Sequence, residues 1–176
     1  MKIVIAGAGA LGTYLIQMLN QSDHDINVID QDKHKLQEIS SHYDVLTTPG
    51  NSTSIEILKE AKTEDADLFI GLTELQESNI ISCILSKKLG AKKTIARIDN
   101  GEYLHIDNKE YFNKLGIDSL IYPEILASEE IVNIIKQPGL NKTVEFASGK
   151  LSLYIIRIEK DSPYIGKTLI EIAEEY

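Results

Sequence analysis

The sequence predicts an α/β chain with a doubly wound, Rossmann-like parallel sheet, and three observations carry that assignment. Short apolar β-type runs alternate with helical patterns through residue 136, the signature of parallel strands joined by crossover helices. The first run, Ile3-Val4-Ile5-Ala6, leads straight into Gly7, Gly9 and Gly12 and then into a helical pattern. The second run, Ile26 to Ile29, closes on an acid, Asp30.

In order along the chain, strands are expected near residues 2 to 6, 26 to 30, 44 to 47, 67 to 71, 93 to 98 and 118 to 121. Helices fill the gaps at about 10 to 21, 32 to 41, 52 to 61, 75 to 89 and 102 to 115. Six strands with five crossovers fit a sheet whose ligand crevice lies at the carboxyl ends of the strands, where strand order reverses. Function is therefore expected to gather at Gly7, Asp30, Gly50, Gly71 and Arg97. A further helix over 124 to 136 carries Ile125, Leu126, Ile131, Val132, Ile134 and Ile135. That coverage exceeds one buried stripe, so either a second surface packs on it or its own lobe covers it. Pro138-Gly139 marks a boundary. Residues 143 to 159 read as a hairpin turning at Ser148-Gly149, with a last helix from about Lys167.

The glycines point to chemistry. They permit a tight turn, let backbone approach a pyrophosphate, and seat the following helix close to the strand. The helix N-terminus then offers unpaired N–H groups and a partial positive charge to an anion. Asp30 can accept hydrogen bonds from an adenosine ribose diol and would repel a 2′-phosphate, which favours NAD(H) over NADP(H). The alternatives are an empty strand-turn-helix elbow and an idle, solvated Asp30.

Length and composition narrow the classes. At 176 residues with 43% apolar content, one full lobe plus a fragment is expected, and disorder is not. The formal charge of −9, with no basic run, argues against nucleic acid and anionic membrane surfaces as partners. The single cysteine, Cys83, excludes an intramolecular disulfide and a Cys-cluster metal site; its neighbours Ile80, Ile81, Ile84 and Leu85 place it in a core. No segment approaches the ~20 apolar residues of a membrane span. His24, His34, His42 and His105 show no metal-ligand spacing and read as surface residues. The acid run Glu64-Asp65-Ala66-Asp67 reads as a solvated loop.

The order of motifs closely resembles the Trk-type potassium-uptake regulators, the TrkA N-terminal or RCK domain. The landmarks are Lys2-Ile-Val-Ile-Ala-Gly-Ala-Gly, Asn27-Val-Ile-Asp30, Gly50, Glu64-Asp-Ala-Asp67, Thr73 followed by Glu77-Ser-Asn79, and Ile95-Ala-Arg-Ile98. Asp161-Ser-Pro-Tyr-Ile-Gly-Lys-Thr-Leu resembles the opening of the family's second, TrkA-C domain. The resemblance implies a TrkA-N lobe over 1 to 122, a crossover or dimerisation helix and hinge over 123 to 139, and the beginning of a truncated TrkA-C domain over 140 to 176.

It also implies site residues. Gly7, Ala8, Gly9, Ala10, Leu11 and Gly12 would hold the diphosphate, Asp30 the ribose, and Thr73, Glu74 and Arg97 the rest of the nucleotide. The loop Gly50-Asn51 stands where many relatives have Gly-Asp, beside the adenine. Thr73 also suits a helix N-cap with Gln76 three residues later, and Arg97 suits either a phosphate or a salt bridge to a neighbouring acid. Some ATP- or ADP-gated relatives have an arginine after the second glycine; Ala10 stands here, favouring NAD(H) and leaving ATP/ADP as the alternative.

The implied function is a cytoplasmic regulatory subunit peripheral to the inner face of the membrane. It would self-associate as a dimer or larger ring and act on an integral membrane potassium transporter subunit. Nucleotide binding would shift its conformation. The alternative is a small NAD-dependent oxidoreductase, for which neither a proton-transfer group near the nicotinamide nor a substrate lobe is visible. A redox-sensing repressor would need a basic reader helix, which is also missing.

Overall fold

A computed structural model describes residues 1–136, 140–146, 151–156 and 162–175. The elements follow as β1 Lys2–Ala6, α1 Ala10–Leu19, β2 Asp25–Asp30, α2 Lys33–His42, β3 Leu46–Pro49, α3 Ile55–Glu60, β4 Leu68–Gly71, α4 Gln76–Leu89, β5 Lys93–Arg97, α5 Ile106–Leu115, β6 Ser119–Ile121 and α6 Pro123–Lys136. Then come β7 Leu140–Phe146, β8 Leu151–Ile156 and α7 Leu169–Glu175. The chain divides into two compact units, Met1–Glu124 and Ile125–Tyr176.

In the first unit six parallel strands form one sheet in the order β3-β2-β1-β4-β5-β6. The order reverses between β1 and β4, so the loops leaving these adjacent strands run to opposite faces and open a crevice between them. Both faces of the sheet are covered, which explains why the strands are continuous apolar runs rather than alternating ones. Along β1, Ile3 and Ile5 enter one core with Ile16, Val28, Leu36 and Ile39, while Val4 and Ala6 enter the other with Leu58, Phe69, Cys83 and Ile117. Burial pushes the Cys83 thiol up to about 12, and its Sγ lies 3.2 Å from the Ile95 carbonyl.

Several boundaries differ from the sequence expectation for identifiable reasons. The third strand runs Leu46–Pro49 rather than 44 to 47, because its pairing with β2 begins at Asn27↔Leu46 and the Thr48 hydroxyl donates to Asn27 Oδ1 at 3.1 Å. The third helix starts at Ile55, not 52. Asn51 Oδ1 accepts from the Thr53 N–H and hydroxyl at 3.0 and 2.9 Å, a local turn that competes with helix. The expected helix over 102 to 115 is split: Asn100 caps a 3-10 turn, Gly101–Leu104, through the Glu102 N–H at 3.0 Å, and α5 begins only at Ile106.

In the second unit β7 and β8 pair antiparallel, as a hairpin requires. The turn expected at Ser148-Gly149 and the boundary at Pro138-Gly139 lie outside the described residues. Leu126, Ile131, Val132, Ile134 and Ile135 of α6 are exposed.

Candidate nucleotide site

The carboxyl ends of β1, β2 and β4 surround a cavity of about 260 Å³. Gly7 and Gly9 form one wall, Asp30 and Gln31 a second, Gly50 and Asn51 a third, and Thr73 and Glu74 a fourth. Sequence-distant residues thus meet because all of them follow strand ends on the same edge of the sheet.

The three glycines answer three different demands. Gly7 has φ +116°, and a Cβ there would lie 2.8 Å from the Leu72 carbonyl and the Thr73 nitrogen. Gly12 has no room because a Cβ would overlap the Gly7 carbonyl oxygen. At Gly9 a Cβ would meet no protein atom within 4 Å. Folding therefore explains the first and third glycines, whereas the second leaves open space on the cavity wall.

Gly9 is also the N-cap of α1, with no side chain capping the helix and no acid in its first turn. The first backbone N–H groups of a helix have no intrahelical acceptor, so those of Ala10, Leu11 and Gly12 form an anion-attracting end. Ala8, Ala10, Leu11 and Gly12 are not themselves among the cavity walls.

Asp30 is more constrained than its sequence position suggests. Its Oδ2 accepts from the Ala8 N–H at 2.6 Å, which ties the glycine turn to the end of β2. Its Oδ1 accepts from the Asp32 N–H at 2.8 Å. A carboxylate has about four acceptor positions, so capacity remains for a ligand.

Thr73 is not the N-cap of α4. The cap is Leu75, without a side-chain bond, and the capping-box reading is overturned by two competing partners. Gln76 turns away: its Oε1 accepts from the Asp99 and Asn100 N–H groups, each at 3.2 Å. The Thr73 N–H and hydroxyl both donate to Asn79 Oδ1, at 2.8 and 2.7 Å. Asn79 is 1% exposed, and its Nδ2 donates to the carbonyls of Thr73 and Arg97, each at 3.0 Å. One buried amide therefore fastens the loop after β4 to the end of β5. Gly71 serves this amide rather than the cavity, since a Cβ there would approach the Asn79 Cα to 3.0 Å.

Arg97 lies outside the cavity walls. Its NH2 group pairs with Glu124 Oε1 at 2.6 Å, and its Nε is buried without a partner. Glu124's own backbone N–H, together with the Arg97 guanidinium, holds that carboxyl below its ordinary value of 4.5. Sequence reasoning missed Lys35, Ser52 and Ser78, all of which line the cavity, and gave Asn79 no role. Lys35 was signalled only by its distance from Asp30, one helical turn into α2.

The acid run is held by cations at the opposite, amino-terminal edge of the sheet. Asp65 pairs with Lys2 at 3.3 Å and Asp67 with Lys92 at 2.6 Å. Among the described residues no group of three or more His, Cys, Asp or Glu could hold a metal ion, and no helix is long and apolar enough to cross a membrane.

Residues 3–123, which run from Ile3 of β1 past the end of β6, match the TrkA-N domain model. The chain belongs to the TrkA-N domain family. It is 34% identical over 176 residues to the Trk system potassium uptake protein TrkA of Haemophilus influenzae, covering 99% of this chain and 38% of that protein. A TrkA homolog of Methanothermobacter thermautotrophicus is 31% identical over 173 residues, covering 98% of this chain and 77% of the homolog. The chain thus spans under two fifths of the H. influenzae relative's length.

Solved structures share the fold. The TrkA-N domain of the inner membrane protein ybaL from Escherichia coli superposes with TM-score 0.66 at 19% identity, over 76% of this chain and 96% of that one. A GsuK channel bound to NAD superposes with TM-score 0.58 at 17% identity, over 68% of this chain and 21% of that one. The GsuK channel has also been solved with ADP, again at TM-score 0.58 and 16% identity, over 69% of this chain and 31% of that one.

Proposed function

We propose that this TrkA-N lobe binds NAD(H) across the turn after β1 and acts as the nucleotide-responsive part of a Trk-type potassium uptake regulator. The observation that carries the reading is the open wall at Gly9, an uncapped helix N-terminus beside a ribose-competent carboxylate at Asp30. The diphosphate would lie over Gly7 to Gly12, the ribose on Asp30, and the adenine against Gly50-Asn51, with Thr73 and Glu74 across the cavity. Solved relatives holding NAD and ADP support both ligand classes, so ATP/ADP is the competing occupant of the same cavity.

Arg97 would join the site by exchanging Glu124 for a phosphate. An ion pair with a half-exposed glutamate is worth about 0–1 kcal/mol, so a dinucleotide diphosphate, with one negative charge on each phosphoryl group, can compete for it. The exchange would release the first turn of α6.

The reading is regulatory rather than catalytic: binding energy is used to shift a conformational equilibrium, which requires different affinities for two states. The partner would be an integral membrane potassium transporter subunit. Residues 1 to 122 would be the sensing lobe, 123 to 139 the dimerisation helix and hinge, and 140 to 176 the opening of a TrkA-C domain. The protein would sit on the cytoplasmic face of the membrane through that partner.

The test is a thermal-shift panel of NAD⁺, NADH, ATP and ADP on the chain and on Arg97→Ala. A ligand at 100 times its dissociation constant adds about 2.7 kcal/mol of apparent stability. Absence of any shift would remove the nucleotide reading, and an unchanged NADH shift in Arg97→Ala would remove Arg97 from the site.

A further inference from the structure

Lys35 is the sole cation among the residues that wall the nucleotide cavity, which it shares with the carboxylates of Asp30 and Glu74. It stands in the first turn of α2, at the ribose end. Its backbone is fixed to Asp30 through two steps: Asp30 Oδ1 accepts from the Asp32 N–H at 2.8 Å, and Asp32 Oδ1 accepts from the N–H groups of His34 and Lys35 at 2.8 and 3.3 Å. Among the ion pairs of the described residues none involves its ammonium. Lys35 also borders a second space of about 200 Å³ walled by Thr13 of α1 and by Glu38, Ile39, His42 and Tyr43 at α2. The ribose end therefore has both an unpaired positive charge and room beyond it.

We propose that Lys35 makes this cavity accept an adenosine whose ribose carries a 2′-phosphate, so that the site takes NADP(H)-type dinucleotides as well as NAD(H). An acid at the end of the second strand ordinarily rejects a 2′-phosphate. Here both Asp30 oxygens already accept a backbone N–H, which disperses the carboxylate charge, and the Lys35 ammonium supplies the opposite charge on the same wall. The ammonium is a compact charge on a flexible stem, so it can follow a phosphate into the adjoining space. Glu38 and Glu74 are the opposing acids, and the ammonium must outweigh them at the phosphate.

The inference rests on the nucleotide reading above, and calorimetric titration of the chain separates the two. NADH and AMP report the reading; NADPH and 2′,5′-ADP, which differ from them only by the 2′-phosphate, report Lys35. Wild-type protein is expected to bind each phosphorylated ligand within about tenfold of its partner. Lys35→Ala should weaken NADPH and 2′,5′-ADP at least about tenfold, change NADH and AMP less than about threefold, and leave Tm unchanged, with Lys35→Arg restoring the phosphorylated pair. Rejection of the phosphorylated pair by wild-type protein, or an equal loss for all four ligands in Lys35→Ala, overturns the inference alone. Failure of NADH and AMP to bind overturns the reading beneath it.

Discussion

Gly9 and Gly12 sit three residues apart in one motif yet are constrained by different things. A Cβ at Gly12 collides with the Gly7 carbonyl, whereas one at Gly9 enters empty space at the head of α1. Serine is at least as good an N-cap as glycine, so Gly9→Ser should keep stability within about 0.5 kcal/mol of wild type while blocking the diphosphate, weakening NADH by at least about tenfold. Gly12→Ala should instead lose about 1–3 kcal/mol through forced backbone displacement. Denaturant titration and calorimetry check the pair, and undiminished NADH binding by Gly9→Ser would place the phosphates elsewhere. The glycine triplet and Asp30 were readable from the chain because the turn they serve is local. Asn79 was not, since nothing in Glu77-Ser-Asn79 signals that its amide will reach back six residues to Thr73 and forward to Arg97.

At the level of elements, the short strand β6 pairs with β5, and the carboxylate just before it adds a link to β5 and α4. Asp118 Oδ2 accepts from the Thr94 N–H at 2.7 Å and from Lys87 Nζ at 2.8 Å. Partial burial works to raise its pKa, but Lys87 and the Thr94 N–H outweigh it and hold the carboxyl below its ordinary value of 3.8. A depressed carboxyl contributes stability that is present above that ordinary value and is lost as pH falls through the folded-state value. Asp118→Asn should therefore cost about 1 kcal/mol at pH 7, discounted for solvent exposure, and should flatten the acid-side loss of stability below about pH 4. Urea midpoints at pH 7 and pH 3 test this; an acid-side slope identical to wild type would show that the ion pair contributes nothing. The same level shows where local patterns misled. Thr73 with Gln76 has the spacing of a cap, yet Asn79 and the backbone of Asp99 and Asn100 offered closer partners.

For the molecule as a whole, the exposed apolar residues Leu126, Ile131, Val132, Ile134 and Ile135 of α6 are the surface on which self-association is expected. Two copies each carrying −9 repel, so they can approach only where apolar burial offsets that repulsion, including that of the exposed Glu129 and Glu130 on the same helix. The chain is expected to be at least dimeric by light scattering, and Ile131→Glu with Ile135→Glu should shift it toward monomer. A monomeric mass for the unsubstituted chain at high concentration would refute the assignment.

Periodicity and glycine spacing were enough to specify the strand-helix alternation, the glycine turn after the first strand and the acid at the second strand. Each depends on residues close in sequence and on backbone geometry that side-chain type dictates directly. Three matters were decided by folding alone: the partner of Arg97, the buried amide joining two strand ends, and the lysine on the cavity wall. They depend on which residues the sheet order brings together across long stretches of chain, and no local pattern encodes that distance.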